Sequence, residues 1–269
     1  MVHAHWETLT TVDVAALDPQ RTVAVLPVAA VEQHGPHLPL GTDAMINRAI
    51  VRALLARADP RASVVALPPL DVGHSLEHAG YPGTLDASAE TLLALWEGVG
   101  RRVAGAGLRR LVVFNTHGGQ RSIVDLVALR LRSRHGMLVA RASVFGFGVP
   151  ETLFDSHEVR HGIHGGEVET SLMLHLHPAL VRLDALADFG GATFDAEARA
   201  AAVGPEKPTG LGWLAEDLHP AGVCGNALRA DAERGAALLE HQVTALQEVV
   251  AALVEQALPP PPYPFPPAA

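Results

Sequence analysis

The chain has 269 residues, 48% of them hydrophobic, enough for one globular domain with a sizeable core and too few for an array of several. A charged fraction of 18% and a formal net charge of −9 exclude the polyanion-binding surface of a nucleic-acid protein. The single cysteine, Cys224, excludes an intrachain disulfide, no run approaches the roughly 18 apolar residues of a membrane span, and residues 1–14 lack a basic-then-apolar secretory signal.

A cytoplasmic protein without membrane contact is therefore expected, and the feature that stands out is its 15 histidines. In chain order, Val23 to Val28 has the length and β-branched content of a buried strand, and a helical pattern from about Ala44 to Ala58 follows it. Val64 to Leu67 reads as a second strand ending at Pro68-Pro69, and a Gly-rich loop, Asp71 to Asp86, leads to Ser88 as a helix N-cap. Leu92, Leu95, Trp96, Val99 and Val103 then recur at helical spacing and are expected in the core. Leu111 to Phe114 is a third strand, Thr116 to Gln120 a turn, and Ile123 to Arg134 a helix closed by Gly136. Met137 to Val144 reads as a fourth strand, Glu151 to Gly165 as irregular chain, and Glu167 to His175 and Ala232 to Gln256 as helices. From Pro259 the chain holds seven prolines and is expected as an extended arm beyond a single domain, 1–258. Strands alternating with helices predict a layered α/β fold with a largely parallel sheet, whose sites form beyond the carboxyl ends of the strands.

Three clusters fall at such places. Glu32 and His34 are two apart just after the first strand, so in extended chain they point the same way, and Asp43 follows nine residues after His34. Carboxylate oxygens and imidazole nitrogens are the usual ligands of zinc, manganese or iron. His117 sits in the turn after the third strand, beside Gly118 and Gly119, where the backbone can pass close to a ligand. In the segment from His164 to Ser171, Glu169 would share a helix face with Leu172, Met173 and Leu176, whereas Glu167 shares one with Thr170 and Ser171. On that argument Glu169 is the buried carboxylate and the candidate ligand, with Glu167 in reserve.

His74-Ser75-Leu76-Glu77-His78 matches the H-x-x-E-H pattern of inverzincin proteases, but the flanking Pro68, Pro69, Gly73, Gly80, Pro82 and Gly83 leave no room for the helix that such a site needs. A loop lining a substrate pocket is expected there instead. No serine elbow, phosphate loop or dinucleotide fingerprint occurs.

Leu26-Pro27 through Glu32-Gln33-His34-Gly35-Pro36-His37-Leu38-Pro39-Leu40-Gly41-Thr42-Asp43, then Asn115 to Gln120, then His164 to Ser171, together resemble the creatininase (creatinine amidohydrolase) family. Pro82-Gly83-Thr84-Leu85 resembles its F-P-G-T segment, with Tyr81 in place of Phe. The resemblance implies a three-layer α/β/α fold with a central, mostly parallel sheet, a homo-oligomer, commonly a hexamer, and hydrolysis of a C–N bond at two divalent ions (Zn, Mn or Fe). Glu32 and His117 would bind one ion, His34 the other, and Asp43 would bridge them. His164 would match the catalytic histidine that passes a proton to the leaving nitrogen, while His74, Ser75, Glu77, His78 and Gly118 would meet the substrate.

The glutamate that completes the second site of creatininase is Gly119 here, so the carboxylate would come from Glu169. Creatininase also closes its pocket with tryptophans shortly before the catalytic histidine, and Leu153 to Ile163 contains none. An amide other than creatinine, or a short peptide, is therefore the expected substrate. The family also includes formamide deformylases and the peptidase that trims the mycofactocin precursor peptide. The rival reading is a metal- or peptide-binding protein that keeps the fold without turnover.

Overall fold

Alternate residues of the strands face opposite ways, and here both faces are apolar. Val23 and Val25 lie in one hydrophobic cluster and Leu26 and Val28 in another, as do Val112 and Phe114 against Leu111 and Val113. A sheet buried on both sides needs helices on both sides. The computed structural model, which describes residues 1–57, 59–190, 204 and 209–260, has that arrangement.

The central strands are β1 (His3–His5), β2 (Thr22–Val28), β3 (Ser63–Ala66), β4 (Arg110–Asn115) and β5 (Leu138–Ser143). They lie in the order β1-β3-β2-β4-β5, every neighbouring pair parallel. The helices are α1 (Thr11–Ala15), α2 (Thr42–Ala56), α3 (Ala89–Gly105), α4 (Arg121–His135), α5 (Val144–Phe147), α6 (Ser156–His161), α7 (Glu167–Leu176), α8 (Ala215–Leu218) and α9 (Ala232–Glu255). A small antiparallel pair, β6 (Asp188–Phe189) with β7 (Gly225–Asn226), stands apart. One face of the sheet is covered by α2, α7 and α9 through Ile46, Ile50, Leu172, Met173, Leu238 and Leu246. The other is covered by α3 and α4 through Leu92, Trp96, Val103, Ile123, Val127 and Leu131. This is the three-layer α/β/α sandwich.

Local signals worked where their physics is local. Ser88 caps α3 by accepting from the Thr91 N–H, and Gly136 ends α4 at φ 64° with its N–H on the Leu131 carbonyl. The segment with the protease-like pattern is only a 3₁₀ turn, Leu76–His78. Three expectations change. Leu95 is 45% exposed, so the core stripe of α3 is narrower than its spacing implied. The stretch expected to be irregular holds α6, started by the Asp155 carboxylate accepting from the His157 N–H. Strand β1 was missed because His-Ala-His carries no apolar run.

Arg110, 3% exposed, donates to the carbonyls of Leu253 and Gln256 and so satisfies the open end of α9. Residues 261–269 of the predicted proline-rich arm lie outside the described residues. Among the described residues, no helix is long and apolar enough to cross a membrane.

Candidate metal centre

The chain leaves β2 toward β3 on one side and returns from β3 to β4 on the other. The crevice beyond the carboxyl ends of β2 and β4 is therefore the topological switch point, where open α/β sheets bind ligands. Glu32 and His34 follow β2, His117 follows β4, and Asp43 stands in the first turn of α2. Asn47, one turn further along α2, donates to the carbonyls of Val28 and Phe114 and so ties the two strand ends together. Asn115 holds the His117 backbone from both sides, accepting its N–H at 3.0 Å and donating to its carbonyl at 2.7 Å.

Asp43 turns Oδ1 to His34 Nε2 at 3.4 Å and Oδ2 to His117 Nδ1 at 3.3 Å. Glu32 Oε1 is 3.1 Å from the same His117 Nδ1. Each of these rings is oriented through its far nitrogen by a backbone carbonyl: His34 Nδ1 donates to Glu32 O at 3.1 Å, and His117 Nε2 to His74 O at 2.8 Å. In the neutral rings the near nitrogens would present their lone pairs toward the carboxylates, the arrangement in which imidazole binds a metal. Two groups of donor atoms fall within 4.8 Å of one another, Glu32-Asp43-His117 and His34-Asp43-Glu169, with Asp43 in both; Glu32, His34 and His164 form a third. Glu32 Oε2, His34 Nε2 and Asp43 Oδ2 are buried without a hydrogen-bond partner. Burying three such atoms unsatisfied is costly, and divalent cations fit this donor set.

The electrostatics agree. Burial disfavours a charge on His34, yet the Asp43 carboxylate 3.4 Å away, helped by the charges of Glu169 and Glu32, holds its pKa up at about 9. Burial likewise opposes a charged His117, but Glu32 and Asp43 push it well above the ordinary value. For Glu169 burial prevails and raises the carboxyl to about 7. His78, lowered to about 4, and His164, lowered well below the ordinary value, are kept neutral mainly by burial.

The structure brings Glu32, His34, Asp43, His117, His164 and Glu169 together, but not for every expected reason. Glu167, and not Glu169, is the fully buried carboxylate. It points away from the cluster into an ion pair with Arg234, with Arg229 at 3.8 Å. Glu169 is only partly buried because it faces a cavity, and its Oε2 accepts from the Gly165 N–H at 2.6 Å.

Of the expected substrate contacts, Glu77, His78 and Gly118 line that cavity. His74 and Ser75 are not among its lining residues. The His74 ring bonds Ala87 O at 3.1 Å, and the Ser75 N–H donates to the Asp86 carboxylate. A Cβ at Gly119 would stand 1.8 Å from Glu77 Oε1, so the Glu77 carboxylate fills the space that a side chain at 119 would take.

One tryptophan reaches the cavity from far along the chain. Trp213, some fifty residues beyond His164, lies edge-on to His78 with ring centroids 6.4 Å apart. No local signal could have placed it there.

The sequence profile described as Creatininase, creatinine amidohydrolase, matches residues 7–250. The mycofactocin precursor peptide peptidase of Mycobacterium ulcerans (strain Agy99) is 34% identical over 169 residues, 60% of this chain and 61% of that protein; the matched region thus spans less than two thirds of the relative. The creatinine amidohydrolase of Pseudomonas putida is 33% identical over 188 residues, 64% of this chain and 71% of that one. A solved tryptophan-to-alanine variant of creatininase superposes with a TM-score of 0.76 at 25% identity, covering 95% of this chain and all of that one (100%).

Proposed function

The chain belongs to the creatininase family, and from that premise we propose that it is a metal-dependent amidohydrolase that cleaves a C–N bond in a linear amide or short peptide. The observation that carries the reading is the convergence of the orphaned Glu32, His34 and Asp43 atoms at the switch point. Glu32, Asp43 and His117 would hold one divalent ion, and His34, Asp43 and Glu169 a second, with Asp43 shared. A glutamate-to-glutamine variant of creatininase has been solved in a zinc–zinc form and creatininase in a manganese form, which supports zinc or manganese, with iron as the third choice. Bound there, the ions would supply Lewis-acid polarisation of the amide carbonyl and a water acidic enough to be deprotonated near neutral pH.

The chain's own groups supply the proton traffic. His164 has Nδ1 3.8 Å from Glu32 Oε1 at the cavity wall, where it would accept a proton from the attacking water and return it to the leaving nitrogen. His78, its ring stacked on His164 at 4.2 Å, is placed to orient the amide.

The cavity is about 1550 Å³, above the roughly 300–1,000 Å³ usual for a small-molecule site. Phe145, Phe154, Val159 and Trp213 line it, an apolar surface that suits an extended substrate better than a small ring such as creatinine. The reading also carries a cytoplasmic homo-oligomer, the assembly on family resemblance alone.

The test is hydrolysis of creatinine, formamides and short peptides by metal-loaded protein. Chelator-sensitive cleavage of an acyclic amide or peptide with kcat/KM on the order of 10⁴ M⁻¹s⁻¹ or more is expected. Creatinine turnover in that range with acyclic amides inert would overturn the substrate class, and no turnover of any of them by metal-loaded protein would overturn the enzyme.

A further inference from the structure

Gln33 stands between the two residues singled out for the centre, Glu32 and His34, and its side chain is only 4% exposed. Its Oε1 accepts the Gly35 N–H at 2.9 Å, while its Nε2 donates to the Gly222 carbonyl. These contacts fix which end of the amide is which, since a flipped amide would set donor against donor and oxygen against oxygen. The site is also shaped for this side chain. Gly222 has φ 75°, and a Cβ there would fall 2.6 Å from Gln33 Oε1.

The same Nε2 lies 2.8 Å from His78 Nδ1. An amide N–H can only donate, so His78 Nδ1 is the acceptor and its proton sits on Nε2, 3.6 Å from Glu32 Oε1. The neighbouring ring is fixed the other way round. His164 Nε2 lies 2.8 Å from the Gln33 backbone carbonyl, which can only accept, and 3.3 Å from Gln33 Nε2, whose two protons go to Gly222 O and His78 Nδ1, so the His164 proton is on Nε2 and the bare Nδ1 faces Glu32 Oε1.

We propose that Gln33 is a positioning residue whose side-chain amide sets the tautomer of His78, so that the stacked pair His78–His164 presents one N–H donor and one bare nitrogen to the same wall of the cavity. A donor beside an acceptor is what a substrate amide needs if one ring is to hold it and the other is to take a proton. The consequence for turnover rests on the hydrolase reading, but the tautomers are a property of the fold.

The test uses the zinc-loaded full chain labelled with ¹⁵N at histidine, whose long-range ¹H–¹⁵N correlations distinguish the two neutral tautomers. In the wild type His78 is expected with its proton on Nε2. Gln33→Glu replaces the donor with acceptors and should move the His78 proton to Nδ1, while His164, held by a backbone carbonyl, keeps its pattern. Gln33→Met, of similar length and uncharged, should leave His78 as a mixture of tautomers, and it serves as the test if the charged variant does not fold. A wild-type His78 protonated on Nδ1, or a His78 pattern unmoved in a folded variant, would overturn the proposal whether or not the protein turns over. Absence of turnover in wild type with the expected patterns would instead count against the hydrolase reading alone.

Discussion

Glu167 and Glu169 are two residues apart on one helix and meet opposite fates. Glu167 is locked to Arg234, and Glu169 faces His34 and Asp43 across the cavity. Glu169→Gln should therefore lower metal content by well over the tenfold expected of a residue that only orients a ligand. Glu167→Gln should leave metal content unchanged and cost about 1–3 kcal/mol of stability, because the arginine loses its anion. Elemental analysis and thermal melts of the two variants check both statements.

The titration behaviour of the histidines gives a second expectation. In metal-free protein His34, raised to about 9, contributes stability that is fully present below its unfolded value near 6.5 and lost as pH rises through about 9. Metal uptake must displace that proton, so affinity should rise by about tenfold per pH unit up to about pH 9 for each proton displaced, and isothermal titration in two buffers reads the proton count. At this scale Glu32, His34, Asp43 and His117 were legible, because each sits directly after a readable strand or in the first turn of the helix that follows. The Glu167/Glu169 burial order was not. Helical spacing says which residues share a face, not whether that face meets a core, an arginine or a cavity.

The helix that carries Glu169 is held in place by another. In α9 the Cα of Gly235 comes so close to α7 that a Cβ would fall 2.0 Å from the Ser171 carbonyl oxygen. Asp231 caps α9, accepting from the Glu233 and Arg234 N–H groups, and its own N–H donates to Ser171 Oγ at 2.9 Å. Gly235→Ala should push the two helices apart, cost about 1–3 kcal/mol as overpacking does, and weaken metal retention with it. A melting temperature and metal content equal to wild type would show that α7 is positioned by other contacts. The main strands and helices were legible from periodicity and caps. The elements that escaped, β1, β6, β7, α1, α5, α6 and α8, are short and take their stability from neighbours rather than from their own pattern.

At the scale of the whole molecule, the fold brings distant chain to the switch point. Trp213 reaches His78, Gly222 accepts from Gln33, and the Cys224 N–H bonds the His164 carbonyl at 2.8 Å. None of these pairings has a local signature, so Trp213 could not be assigned to the cavity from the sequence, whereas the candidate ligands could. Trp213→Ala should raise KM by several-fold to about tenfold with a smaller effect on kcat if the ring, at the cavity wall, holds substrate without taking part in bond making. Steady-state kinetics on the amide that the protein cleaves best would show a kcat loss instead if Trp213 orders His78.

The central claim is a dinuclear centre shared through one carboxylate, and it is tested most directly by metal stoichiometry on purified wild type and Asp43→Ala after loading and desalting. Asp43 faces both His34 and His117. Two ions in the wild type and neither in the variant is the predicted result; a wild type that takes up no metal, or an Asp43→Ala protein that retains two tightly held ions, would contradict it.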